Sequence, residues 1–200
     1  VVARWITSRL YVGDRDTRLE QYVLLGVGAI RALAALGIEP AVLHLNEGHA
    51  SFAPLELARA EAPDAAGDDV TAAIDRARAR TVFTTHTPVP AGHDRFERAL
   101  AERVLGETRV TLLDRAGAMS GDWLNMTDLA LRFSHYVNAV ARRHQEVSQD
   151  MFPEHRDRIQ GVTNGVHATT WTSEPFRDLF DRHIPGWRTD NFFLRHAVDI

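Results

Sequence analysis

Leu19, Tyr22, Val23, Ile30 and Leu33 recur near a 3.6-residue period, which predicts a helix from Arg15 to about Leu36. Asp14 is placed to cap it and Gly37 to stop it. The next apolar run, Ala41 to Leu45, is too short for a helix and predicts a buried strand, with a turn at Asn46-Glu47-Gly48. A second helix is expected over Phe52 to Ala60, a surface link over Pro63 to Asp69, and a third helix over Val70 to Arg80. The β-branched and aromatic run Thr81 to Thr85 predicts another strand, broken by Pro88-Val89-Pro90-Ala91-Gly92. Asp94 is then read as the cap of a helix from Arg95 to about Leu105, and Arg109 to Leu113 as a short strand. Ala116 to Asp122 reads as a loop. Leu129, Phe133, Tyr136, Val137 and Val140 fall on one helical face and predict a long helix from Thr127 to about Asp150. Ile159 to Thr163 is expected to be the last strand, and Glu174 to Arg182 a surface helix.

Helices alternating with short apolar strands predict an α/β fold, a Rossmann-like layer with a mainly parallel sheet. Ligands of such sheets gather at the carboxyl ends of the strands. Three polar clusters occupy such positions: HLNEGH (His44 to His49), TTHTPVP (Thr84 to Pro90) and TNGVH (Thr163 to His167).

Composition narrows the function classes. A net charge of −4 offers no basic surface for nucleic acid or an anionic membrane. No apolar run reaches the roughly 18–20 residues that span a bilayer. The opening Val1-Val2-Ala3-Arg4-Trp5 has neither an initiator Met nor a secretory layout, and reads as the middle of a protein. Cysteine is absent, which removes disulfide and thiolate chemistry. All 23 basic residues are Arg, so a lysine Schiff base cannot form within this chain.

Asn46, Glu47 and His49 at a strand end would supply an amide, a carboxylate and an imidazole, a set suited to hydroxyl-rich ligands. The same residues could instead cap local backbone. HLNEGH has neither the HExxH nor the HxxEH spacing, so even with His86 added no metal site is expected. His86 ends a strand whose exit is stiffened by Pro88 and Pro90, while the Asn164-Gly165 pair reads as a structural turn.

Taken together, the stretches RLYVGDRDTRLEQYVLLGVGAIRALAALGIEP, HLNEGHASFAPLELAR, VFTTHTPVPAGHDRF, LNMTDLALRFSHYVNAVARRHQEVSQDMF and QGVTNGVHATTW resemble the α-glucan phosphorylase family, in its shorter bacterial branch. The closing GWRTDNFF fits as well. The resemblance implies glucosyl transfer between the non-reducing end of an α-1,4-glucan and inorganic phosphate, giving α-glucose 1-phosphate. It also implies two Rossmann-like domains with the active site between them, and pyridoxal phosphate held by a lysine in the C-terminal one. On this resemblance residues 1–200 are part of the N-terminal, glucan-side domain. The cofactor domain and a glycine-rich loop lie elsewhere, and the chain alone is expected to be inactive. His86 matches the catalytic histidine that contacts the glucosyl unit, partly through its backbone carbonyl. Asn46, Glu47 and His49 match substrate-binding positions on the acceptor side. Arg18, Asn138, His144 and Asn164 match structural positions. The departures Val12, Tyr22, Ala139, Asn191 and Phe193 are expected to lie away from the sugar pocket. A cytoplasmic enzyme, allosterically controlled and able to form a homo-oligomer, completes the expectation. A nucleotide-sugar glucosyltransferase of the glycogen or starch synthase kind, or a non-catalytic carbohydrate-binding remnant, are the competing readings.

Overall fold

The first helix, α1 (Arg15–Ala35), starts where Asp14 accepts a hydrogen bond from the Thr17 backbone N–H at 2.8 Å, satisfying one of the amides a helix start leaves open. In this computed structural model, which describes residues 2–10, 12–63 and 69–200, two units separate, Val1–Thr163 and Asn164–Ile200. The first continues with β1 (Leu43–Asn46), α2 (Phe52–Glu61), α3 (Asp69–Ala79) and β2 (Thr81–Thr85). Next come β3 (Arg95–Glu97), α4 (Arg98–Leu105), α5 (Glu107–Arg115), β4 (Met119–Ser120) and β5 (Trp123–Asn125). It closes with α6 (Met126–Arg132), β6 (Tyr136–Ala139), α7 (Arg142–Met151) and β7 (Ile159–Gly161). The second unit holds α8 (Ala168–Trp171) and α9 (Glu174–His183), where Trp187 is buried against Phe180 and its indole N–H donates to Asp181 at 2.9 Å. The link expected at Pro63 to Asp69 lies largely outside the described residues.

Four strands form one parallel sheet in the order β1-β2-β6-β7. The registers align Leu45, Phe83, Val137 and Ile159 across it, all buried, and Ala130 and Leu131 of α6 share their apolar cluster. The neighbouring row is Asn46, Thr84, Asn138 and Gln160. The Thr84 hydroxyl donates to Asn138 Oδ1 at 2.8 Å and lies 2.8 Å from His44 Nε2, so polar side chains of the three neighbouring strands β1, β2 and β6 satisfy one another. A second, antiparallel sheet, β3-β5-β4, stands apart. Helices α1 and α2 approach closely at Gly26, where a Cβ would meet Phe52 Cβ at 2.8 Å and the Ala53 backbone N at 2.9 Å. Glu56 of α2, almost fully buried, takes hydrogen bonds from Arg31, Arg59 and Arg109 at 2.9–3.0 Å. Burial pushes its carboxyl up, but the three guanidinium groups outweigh that and hold it below its ordinary value.

Four expectations fail. The long helix from Thr127 to Asp150 is α6, β6 and α7. Leu129, Phe133 and Val137 keep a four-residue spacing across the break, yet Tyr136–Ala139 is inserted between β2 and β7, where sheet pairing decides. Arg109 to Leu113 is helical, within α5: Val110, Leu112 and Leu113 are all buried, and five residues were too few to separate the two periods. Asp94 does not cap a helix. β3 intervenes, α4 begins at Arg98, and the supposed loop Ala116 to Asp122 contains β4.

Candidate functional site

The strands β1 and β2 lie side by side and end together, at Asn46 and Thr85. Asn46 is exposed at its tip. Glu47 then leaves β1 at φ 66°, ψ 173°, a region almost reserved for glycine, and it is the one non-glycine residue with positive φ among the described residues. Such a conformation costs on the order of 1–3 kcal/mol and persists only where contacts enforce it. Here they are named. The Glu47 N–H donates to Thr84 O at 3.0 Å, and Glu47 Oε1 accepts from the His86 backbone N–H and, at 3.1 Å, from the Thr87 hydroxyl. The His86 ring stands with Nδ1 3.8 Å from the same oxygen. The two hydrogen bonds and the imidazole approach all fall on Oε1. Glu47 and His86 are therefore brought together as one polar edge.

His49 sits differently. It is half-buried, its ring edge-on to Tyr22 with centroids 5.3 Å apart. It borders a cleft of about 340 Å³ with Arg9, Arg18, Gln21, Tyr22 and Leu25, which does not include Glu47 or His86. Burial, and then the Arg18 charge, pull its imidazole below the ordinary histidine value, against the opposing pull of Glu47 and Asp94. Gly48 leaves room for this turn, since a Cβ there would stand 3.2 Å from Met126 Cβ.

Sequence reasoning missed four neighbours. Thr87 joins the Glu47 contact. Tyr22, expected away from the pocket, touches His49, and its hydroxyl donates to Asp94. Asp94 also pairs with Arg18 Nε at 3.2 Å. His93 is buried, with Nδ1 2.8 Å from the Thr127 hydroxyl and its ring edge-on to Phe152, and burial again lowers its pKa. The AGHD stretch carried no clear signal of this, because Gly and Asp behind a Pro-rich strand exit are ordinary turn residues. In TNGVH, Val162 just before the motif still donates to Ala139 O at 2.9 Å, whereas His167 makes a local contact to Thr170 at 2.6 Å.

Among the described residues, the group of three possible metal ligands is Asp128, Glu154 and His155, well away from the tips in sequence. Arg132 pairs with both carboxylates at 2.8 and 3.0 Å, and His155 bonds Asp128 at 2.9 Å, so these charges already answer one another. No described helix is long and apolar enough to cross a membrane.

No family model matches the chain. A maltodextrin phosphorylase of Thermococcus litoralis is 41% identical over 92% of this chain and 23% of its own length. A glycogen phosphorylase of Mycobacterium tuberculosis is 40% identical over 92% of this chain and 24% of its own. A glycogen synthase of Anaeromyxobacter is more distant, 27% identical over 86% of this chain and 34% of the synthase. The chain thus spans about a quarter of the length of the phosphorylases it matches.

Proposed function

Because this chain is homologous to one segment of the α-glucan phosphorylases, we propose that the protein containing it moves a glucosyl unit between α-1,4-glucan ends and inorganic phosphate. The product of phosphorolysis is α-glucose 1-phosphate. The strand tips form the sugar-facing wall of the site, with His86 catalytic and Asn46, Glu47 and His49 binding substrate.

One observation carries this reading: Glu47 holds a strained backbone while its carboxylate grips the His86 amide and the Thr87 hydroxyl. That grip fixes where the His86 carbonyl and ring point as the chain leaves β2. A fixed carbonyl dipole near an anomeric carbon stabilises the positive charge that develops as a glycosidic bond breaks. The carboxylate of Glu47 and the amide of Asn46 can take sugar hydroxyls, and a neutral His49 can both donate and accept.

Pyridoxal phosphate, which the family resemblance implies, does not fit residues of this chain, because none of its 200 residues is a lysine. The corresponding setting is a cytoplasmic homo-oligomer under allosteric control.

The synthase similarity supports a second reading, transfer from a nucleotide sugar. The two separate in one assay on the full-length protein supplied with pyridoxal phosphate. Release of glucose 1-phosphate from maltodextrin and phosphate is the expected outcome; glucan extension from a nucleotide sugar, without phosphorolysis, would overturn it. In the same assay His86→Ala lowers turnover by more than about tenfold while cofactor binding is kept.

A further inference from the structure

Two chain segments carry the proposed site, one leaving β1 through Glu47 to His49, the other leaving β2 through His86 to Asp94. They meet on α1. Arg18 and Tyr22 are one helical turn apart and share a face. The Tyr22 ring lies edge-on to His49 at 5.3 Å and to Phe96 at 5.8 Å, and the Arg18 guanidinium stands 4.7 Å from its centroid. Its hydroxyl donates to Asp94, whose carboxylate also takes Arg18 Nε at 3.2 Å. The Asp94 backbone is tied in turn, its carbonyl accepting from Met126 N–H at 3.0 Å.

We propose that Tyr22 is a positioning residue, a single buried side chain that clamps both segments to α1, the ring holding His49 and the hydroxyl holding Asp94. The ring and the hydroxyl therefore do separable work. Between His86 and Asp94 the chain contains Pro88 and Pro90, which restrict its backbone, so fixing Asp94 at one end limits how far His86 can drift at the other. His93 anchors the same segment on its far side through Thr127. A hydrogen bond from a neutral donor to an ionised carboxylate is stronger than one between two neutral groups. Burial and that bond both hold the Tyr22 phenol well above its ordinary pKa, so it remains a donor across the physiological range.

The test uses the full-length protein with Tyr22→Phe, Tyr22→Leu, Asp94→Asn and the Phe/Asn double variant. Hydrogen exchange is followed over residues 46–50, 86–94 and α2. Tyr22→Phe keeps the ring, so exchange over 86–94 rises about tenfold while 46–50 and α2 stay protected. Tyr22→Leu releases both segments. Asp94→Asn also loses the Arg18 pair, so it raises exchange over 86–94 at least as much as Tyr22→Phe, and the double variant is no worse than Asp94→Asn alone, the mark of a shared contact. The activity readout rests on the phosphorylase reading: Tyr22→Phe lowers kcat about fivefold through His86, whereas Tyr22→Leu also raises the KM for maltodextrin through His49. Unchanged exchange over 86–94 in Tyr22→Phe overturns the clamp, as do additive effects in the double variant or an equal rise in α2. If wild type makes no glucose 1-phosphate, the phosphorylase reading fails, and the exchange pattern still decides the clamp.

Discussion

Glu47 concentrates the local physics of the site, because it combines a glycine-like backbone with a side chain that glycine lacks. Glu47→Ala removes the carboxylate contacts and keeps the strain; Glu47→Gly removes the same contacts and relaxes φ. Denaturant unfolding should therefore find Glu47→Ala the less stable of the two by about 1 kcal/mol, the reverse of the usual preference for alanine. His49 supplies a pH prediction. Its folded pKa lies below the unfolded value of 6.5, so the unfolded chain takes up the proton first. The stability it contributes is whole above that value and declines as pH falls below it, until the folded form also protonates. Titration of the imidazole by NMR should give a midpoint under 6.5, and a midpoint at or above it would remove the neutral donor–acceptor assigned to His49.

At the scale of elements, the association of α1, α2 and α5 turns on one buried carboxylate. Arg31, Arg59 and Arg109 come from these three helices and converge on Glu56. Glu56→Gln keeps the shape but leaves three guanidinium groups, Arg31 among them largely exposed, facing a neutral amide, and losing these charge-assisted hydrogen bonds costs about 1.5–3 kcal/mol. The sign of its pH dependence follows from the depressed carboxyl. Its stabilisation is present above the unfolded value of 4.5 and is lost as pH falls through the folded one. The variant should then show both a lower midpoint of unfolding at neutral pH and a flatter acid limb. A normal acid limb would mean that Glu56 is not the group being titrated.

For the molecule as a whole, the decisive fact is what its residues omit. Glucosyl transfer to phosphate, in the proposed reading, takes place between this wall and groups supplied by other parts of the protein. Residues 1–200 alone, incubated with pyridoxal phosphate, maltodextrin and phosphate, should release no glucose 1-phosphate, because no lysine is present to hold the cofactor. Measurable release from this chain would refute that division of labour.

The sequence by itself determined α1, β2, the α/β alternation and the strand tips at Asn46 to His49 and at His86, since periodicity, β-branching and glycine or proline breaks act within a few residues. The tertiary structure alone decided that Tyr136–Ala139 is a strand, that Val110 to Leu113 is helical, and that Tyr22 and Asp94 meet between the two tips. The reason is the range of the interactions. A helix shows its stripe in its own residues, but a central strand is defined by neighbours, here β2 and β7, that lie more than fifty residues before it and about twenty after it. A clamp between α1 and the end of the 86–94 segment likewise joins residues 72 apart, and local pattern has no means of recording such a contact.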